Sequence, residues 1–235
     1  MAIRTRFTRN SIIFLDGQTW CDAFGPSVVK FIDEFVYTPF DGADNPAAYT
    51  VTLVEAGAGE STLALKAGAD GGTLLITTDA AEDDGVNLQA KGEAFKPLTY
   101  PIYFGCRFKI SEATQSDFLI GLCITDTDLL GGVTDGVYIR KVDASTTMAF
   151  VLEKDSTETS TNYGTAVAAD TWYKFEFYFD GTNIDWYLND TLQTRPVTTN
   201  LPNDEFLTPS VHFLTGAAAA ITIEVDYLRA IQILA

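Results

Sequence analysis

From Trp172 the chain reads Trp-Tyr-Lys-Phe-Glu-Phe-Tyr-Phe-Asp, and no other stretch limits the fold as tightly. Tyr173, Phe175, Phe177 and Phe179 fall on one side, and Lys174, Glu176 and Asp180 do not share it. Side chains alternate with a period of two in a strand, so the pattern predicts a half-buried strand with its aromatics inward. Asp180-Gly181 turns the chain, Ile184, Trp186 and Leu188 resume an apolar face, and Asn189-Asp190 ends it. Two alternating runs joined by such a turn predict a β-hairpin.

The same arithmetic applies elsewhere. Ile102, Phe104, Cys106, Phe108 and Ile110 alternate with Tyr103, Gly105, Arg107 and Lys109. Near the end, Ile221, Ile223, Val225 and Tyr227 alternate with Thr222, Glu224 and Asp226. Residues 49–54, 62–66, 73–78, 118–124, 137–142 and 148–153 are further strand candidates, separated by Asp-Gly, Gly-Gly and Asn-Pro turn signals. Roughly a dozen strands are expected, spaced as in a sandwich or barrel. The best helical candidate, residues 16–24, is short. Without helical crossovers the sheets should be antiparallel. The expected architecture is all-β: a two-sheet antiparallel jelly-roll sandwich over residues 28–235, preceded by a short N-terminal arm and lead-in at 1–27.

Charge separates these two parts. The chain carries a net −17, yet its first ten residues hold Arg4, Arg6 and Arg9 and no acid. An acidic body repels nucleic acid, so no nucleic-acid partner is expected. No apolar run approaches the roughly 20 residues of a membrane-spanning helix, and the apolar run at residues 12–15 is too short for a secretion signal. The expected site of synthesis is therefore the cytoplasm of the producing cell. Cys21, Cys106 and Cys123 form no paired motif, and the latter two sit in apolar strand runs where a thiol packs as a small hydrophobe.

Two passages resemble the concanavalin A-like lectin/glucanase superfamily. Asp170-Thr-Trp172-Tyr-Lys174, Asp180-Gly181-Thr-Asn183 and Trp186-Tyr187-Leu188-Asn189 together are similar to a hairpin of laminin-G-like jelly rolls. Glu224-Val-Asp226-Tyr227-Leu-Arg229-Ala-Ile231-Gln232 resembles the closing strand of family-16 glycoside hydrolases, and Asp33-Glu34-Phe35 resembles a motif near the start of such domains. The resemblance, from about Val28 onward, implies the sandwich. It does not bring the catalytic strand with it. Retaining glycosidases need a nucleophile and an acid/base carboxyl about 5 Å apart. Glu224 and Asp226 have the family's E-x-D spacing, but no third acid follows, and the Q-x-H element of alginate-lyase relatives is missing.

His212, the only histidine, sits between Val211 and Phe213 and reads as a strand residue, so neither a triad nor a zinc site is expected. Asp41/Asp44, Glu82-Asp83-Asp84 and Asp126/Asp128 offer oxygen ligands of the kind Ca²⁺ takes, with Asp126/Asp128 the first to check. Solvated loops account for them, so no metal or other cofactor is assigned. Residues 57–60 are glycine-rich but lack the Lys-Ser/Thr of a phosphate loop. Asn189-Asp190-Thr191 matches a glycosylation acceptor by chance. Tyr103, Tyr138, Tyr178 and Tyr187 should point outward, where they could stack on a glycan or meet a protein partner. Ile3 and Phe7 alternate with Arg4 and Arg6, so with Arg9 the arm has the form of a partner-binding strand.

An acidic jelly roll with a basic arm and no catalytic triple resembles the head decoration (cement) proteins of tailed bacteriophages. That resemblance implies a non-enzymatic virion protein on the capsid surface, a homotrimer whose partner is the major capsid protein. The alternatives are a carbohydrate-binding lectin-like module and a divergent glycan hydrolase or lyase.

Overall fold

The computed structural model describes residues 27–42, 45–69 and 71–234, together with the backbone of two strands near the N-terminus. Those two, β1 (Ile3–Thr8) and β2 (Ser11–Asp16), pair antiparallel in a sheet of their own. The arm expected as one extended segment is therefore half of a hairpin. Asp16 closes β2, while the rest of the helical candidate, Cys21 and the side chains of Ile3, Arg4, Arg6, Phe7 and Arg9 lie outside the described residues.

The body continues with β3 (Val28–Asp33), β4 (Tyr49–Val54), β5 (Thr62–Leu65), β6 (Leu74–Thr77), β7 (Gly85–Ala90), β8 (Ile102–Ile110) and β9 (Ser116–Cys123). After a one-turn helix, α1 (Leu129–Gly132), come β10 (Gly136–Lys141), β11 (Met148–Lys154), β12 (Thr157–Asn162) and β13 (Tyr173–Phe179). The last strands are β14 (Ile184–Leu188), β15 (Thr191–Leu192), β16 (Thr208–Thr215) and β17 (Thr222–Ile233). One sheet has seven strands in the order β12-β11-β10-β9-β16-β7-β4, and the other has eight, β15-β14-β13-β8-β17-β6-β5, with β3 also paired to β17. Every pairing is antiparallel among the described residues, as the lack of helical crossovers predicts. The fold is the expected two-sheet jelly-roll sandwich.

The inward rows are those the alternation identifies. Phe104, Cys106, Phe108, Phe175 and Phe177 from the eight-stranded sheet meet Phe118, Ile120, Ile139 and Phe150 from the seven-stranded sheet in one core. Rings stack across the interface: Phe150 lies 5.2 Å from Trp186 with planes 13° apart, and Phe108 meets Phe118 edge-on at 5.2 Å. Such contacts add to the gain from removing aromatic area from water. Cys106 and Cys123 are both free and buried, the first in this core and the second on the far face of the seven-stranded sheet.

Two local devices shape the eight-stranded sheet. Asp33 ends β3, and its carboxylate accepts hydrogen bonds from the Phe35 N–H (2.9 Å), the Thr38 hydroxyl (3.0 Å) and the Tyr49 hydroxyl (3.0 Å). These bonds hold Phe35 at a φ of 49° with its ring buried. The Asp-Glu-Phe motif is thus a corner that locks β3 to the core. In β17 the register shifts between Val225 and Tyr227. A bulge moves the following side chains to the opposite face, so Leu228 and Ala230 enter the core. The alternation through Tyr227 expected from sequence breaks there.

Candidate binding site

The middle of the outward face of the seven-stranded sheet is covered. Leu119, Cys123, Tyr138 and Val151 form a second apolar cluster with Leu129 and Val133 from the segment joining β9 to β10. Three polar side chains pin that segment down. The Asn87 amide donates to the Asp126 carbonyl (2.6 Å), the Gln89 amide donates to the Ile124 carbonyl (3.0 Å), and His212 Nδ1 accepts from the Leu130 N–H (3.1 Å). His212 is fully buried, and burial pulls its pKa down to about 4 against the pull of Asp128 and Asp126. A neutral ring accepting at Nδ1 is a structural strand histidine, as the sequence suggests. Asp126 accepts from the Asp128 N–H (3.0 Å) and Asp128 from the Gly131 N–H (3.1 Å), so this acidic pair caps the turn into α1.

The four tyrosines expected outside do not form one constellation. Tyr103 and Tyr138 do leave the inter-sheet core, but both are buried, and this corrects their reading as surface aromatics. The Tyr103 hydroxyl donates to Glu176 (2.7 Å), beneath Ile231, Ile233, Val28 and Tyr178. The Tyr138 hydroxyl donates to Glu153 under the β9–β10 segment. Alternation assigns a face, but whether a neighbouring segment covers that face depends on tertiary packing. Tyr178 and Tyr187 remain half-exposed on the eight-stranded sheet.

That sheet carries a hollow of about 300 Å³ lined by Lys66, Arg107, Lys109, Trp172, Glu224 and Asp226, with Thr73 beside them. Each lining residue is placed by strand geometry. Arg107 and Lys109 are two of the outward residues of β8, and Lys109 lies directly opposite Glu224 in β17. Trp172 precedes β13, and Lys66 follows β5. The Arg107 guanidinium lies 4.2 Å from the Trp172 ring centre and the Lys109 ammonium 5.2 Å away, both as cation–π contacts. Lys66 and Lys109 both reach Glu224 Oε1, at 2.6 and 3.1 Å, and Arg107 reaches Asp226 at 2.9 Å.

The charges around Glu224 set its protonation state. Burial works to raise the pKa of Glu224, but hydrogen bonds and charge from Lys66 and Lys109 hold it below the usual carboxylate range. Glu224 is therefore a carboxylate at neutral pH and not a proton donor. Three cations against two carboxylates leave the hollow with a net positive charge on a chain of net −17. It can offer ammonium and guanidinium donors, carboxylate acceptors and an indole to a polyhydroxylated ligand. Trp172, Glu224 and Asp226 stood out in the sequence. Lys66, Arg107 and Lys109 did not, since only the pairing of distant strands brings them together.

A family model, SO2946-like, C-terminal domain, matches residues 69–226. No curated protein matches the chain in sequence. Among solved structures, the chain is similar to the protein of unknown function SO2946 from Shewanella oneidensis MR-1, with 14% identity and a TM-score of 0.63 over 90% of this chain and 89% of that one. It is also similar to an endo-1,3-β-glucanase from Streptomyces sioyaensis, at 11% identity and TM-score 0.61, covering 92% of this chain and all (100%) of the enzyme. A third likeness is the Emp46p carbohydrate recognition domain, at 10% identity and TM-score 0.58 over 84% and 93% of the two chains. At these identities the likeness is one of fold. The expectation of a non-enzyme is corrected by the second match, because a glycan-cleaving enzyme shares this architecture from end to end.

Proposed function

We propose that this chain, which belongs to the SO2946-like C-terminal domain family, recognises a glycan, with a sugar ring seated at the Trp172 hollow. The observation that carries the reading is an indole ringed by Lys66, Arg107, Lys109, Glu224 and Asp226 in one cavity. Sugars present apolar C–H faces and many hydroxyls, and an aromatic surface beside fixed charged donors and acceptors complements both. The likeness to a carbohydrate recognition domain and to a glucanase supports the same class of ligand.

Electrophoresis of the full-length protein through gels containing soluble β-1,3-glucan or mixed-linkage glucan tests the reading, with reducing ends assayed on the same samples to register turnover. Retardation is expected for the native chain. Trp172→Ala should weaken it at least about tenfold, the equivalent of roughly 1.4 kcal/mol. Failure of every glucan to retard the protein, or an unchanged Trp172→Ala variant, removes this reading.

One observation favours a second reading, attachment to a phage head as a capsid decoration protein. Strands β1 and β2 form a sheet separate from the two main ones, in the arginine-bearing stretch of an acidic chain. A separate hairpin has edges that can extend a partner's sheet, and several hairpins on a homotrimer would bind with avidity. Deleting residues 1–16 should then abolish capture of the major capsid protein while the body still folds. Undiminished capture by the truncated chain would rule the hairpin out.

A further inference from the structure

Two connections that cross between the sheets, residues 55–61 from β4 to β5 and residues 78–84 from β6 to β7, close over a pair of carboxylates. Asp84 is fully buried. Its Oδ1 accepts from the backbone N–H groups of Ala56 and Gly57, the latter at 3.2 Å, whereas its Oδ2 has no hydrogen-bond partner among the described residues. The residue cannot swing away, because its N–H donates to the Ala81 carbonyl (3.2 Å) and its carbonyl accepts from Thr215 (2.9 Å). Asp79 is half-buried beside it, tied through its N–H to the Ser61 hydroxyl (3.4 Å).

The glycines of the crossing loop exist to let it approach. A Cβ on Gly59 would stand 2.0 Å from Asp79 Oδ2, and one on Gly57 would stand 2.6 Å from the Ala81 Cβ. The same point above Gly57 lies 3.3 Å from Asp84 Oδ2 and 3.9 Å from Asp79 Oδ2, so both carboxylates pack close against the loop backbone at Gly57. Among the described residues no lysine or arginine pairs with either carboxylate. A buried carboxylate oxygen with neither a hydrogen bond nor a counter-charge is costly and calls for a cation.

We propose that Asp79 and Asp84 hold a Ca²⁺ ion that fastens the 55–61 loop to the sandwich. Ca²⁺ is a hard cation that accepts carboxylate and backbone carbonyl oxygens in irregular arrangements, which suits a glycine-rich loop. Mg²⁺ requires a near-ideal octahedron and keeps its waters. The pair brings no histidine or thiolate, so softer metals have no advantage. In the sequence, Asp84 was hidden in the run Glu82-Asp83-Asp84, of which only Asp84 turns inward.

The test uses the full chain stripped with a chelator, then titrated calorimetrically with CaCl₂, MgCl₂ or KCl and melted with and without each salt. One Ca²⁺ per chain is expected, with a dissociation constant of order 10⁻⁴ to 10⁻³ M and a melting temperature several degrees higher in excess Ca²⁺. Asp79→Asn, at the half-buried position, should weaken binding at least about tenfold without lowering the melting temperature of the metal-free protein. Asp126→Asn should leave binding unchanged. The proposal is overturned if Ca²⁺ gives no heat and no shift, if MgCl₂ or KCl acts equally, or if Asp79→Asn binds as the native chain does.

Discussion

Trp186→Ala is expected to lower the melting temperature by roughly 6–20 °C, the largest loss from any single substitution considered. The indole is fully buried in β14 and stacks on Phe150 of the opposing sheet, so it belongs to both layers at once. Truncating a buried aromatic costs about 3–5 kcal/mol, because transfer free energy is lost and a cavity remains. For a chain of this size each kcal/mol moves the midpoint by about 2–4 °C. The indole N–H also donates to the Thr194 carbonyl (2.9 Å), holding the segment after β15 against the sheet, and that acceptor loses its partner too. Thermal unfolding followed by circular dichroism reads the shift. A drop below about 5 °C would mean that the two sheets do not depend on this contact.

The second large effect is acid lability centred on His212. Burial lowers its folded-state pKa to about 4 from an ordinary 6.5. Between those values the unfolded chain takes up a proton that the folded chain refuses, so stability is lost as pH falls through that window and the loss is complete near pH 4. At about 1.4 kcal/mol per pH unit the full effect is about 3 kcal/mol. A proton on Nδ1 would also displace the Leu130 N–H and loosen the segment that covers the seven-stranded sheet. Asp117 and Glu153 contribute with the opposite sign over part of the range, because burial raises their pKa values. The informative quantity is therefore the difference between native protein and His212→Gln in urea unfolding at pH 7, 5.5 and 4.5. The variant's curve should be markedly flatter, and parallel curves would show that His212 protonates without opposing the fold.

Sequence made the strands legible because a period of two is a local property. The Phe rows of β8 and β13 face inward as the alternation requires, and the Asp180-Gly181 turn joins β13 to β14. The bulge in β17 escaped notice because Tyr227 extends the apolar spacing as plausibly as Leu228 does. Coverage also escaped. Tyr103 and Tyr138 are on outward faces, but whether an outward face meets water depends on Ile231 and Ile233 in one case and Leu129 and Val133 in the other. The binding hollow was half visible. Trp172 and the Glu224/Asp226 pair announced themselves, while Lys66 and Lys109 converge on Glu224 only because β5, β6, β17 and β8 lie side by side. Similarly, nothing local separates Asp84 from its two acidic neighbours, and burial alone does so.

Ligand recognition at Trp172 is tested most directly by an NMR titration of the full-length protein with soluble β-1,3-glucan oligosaccharides, following the indole and backbone N–H signals. A saturable shift of the Trp172 indole resonance is expected, with that of Trp186 in the core unmoved. No shift at saturating sugar, or shifts confined to the residues around Tyr138 on the other sheet, would contradict it.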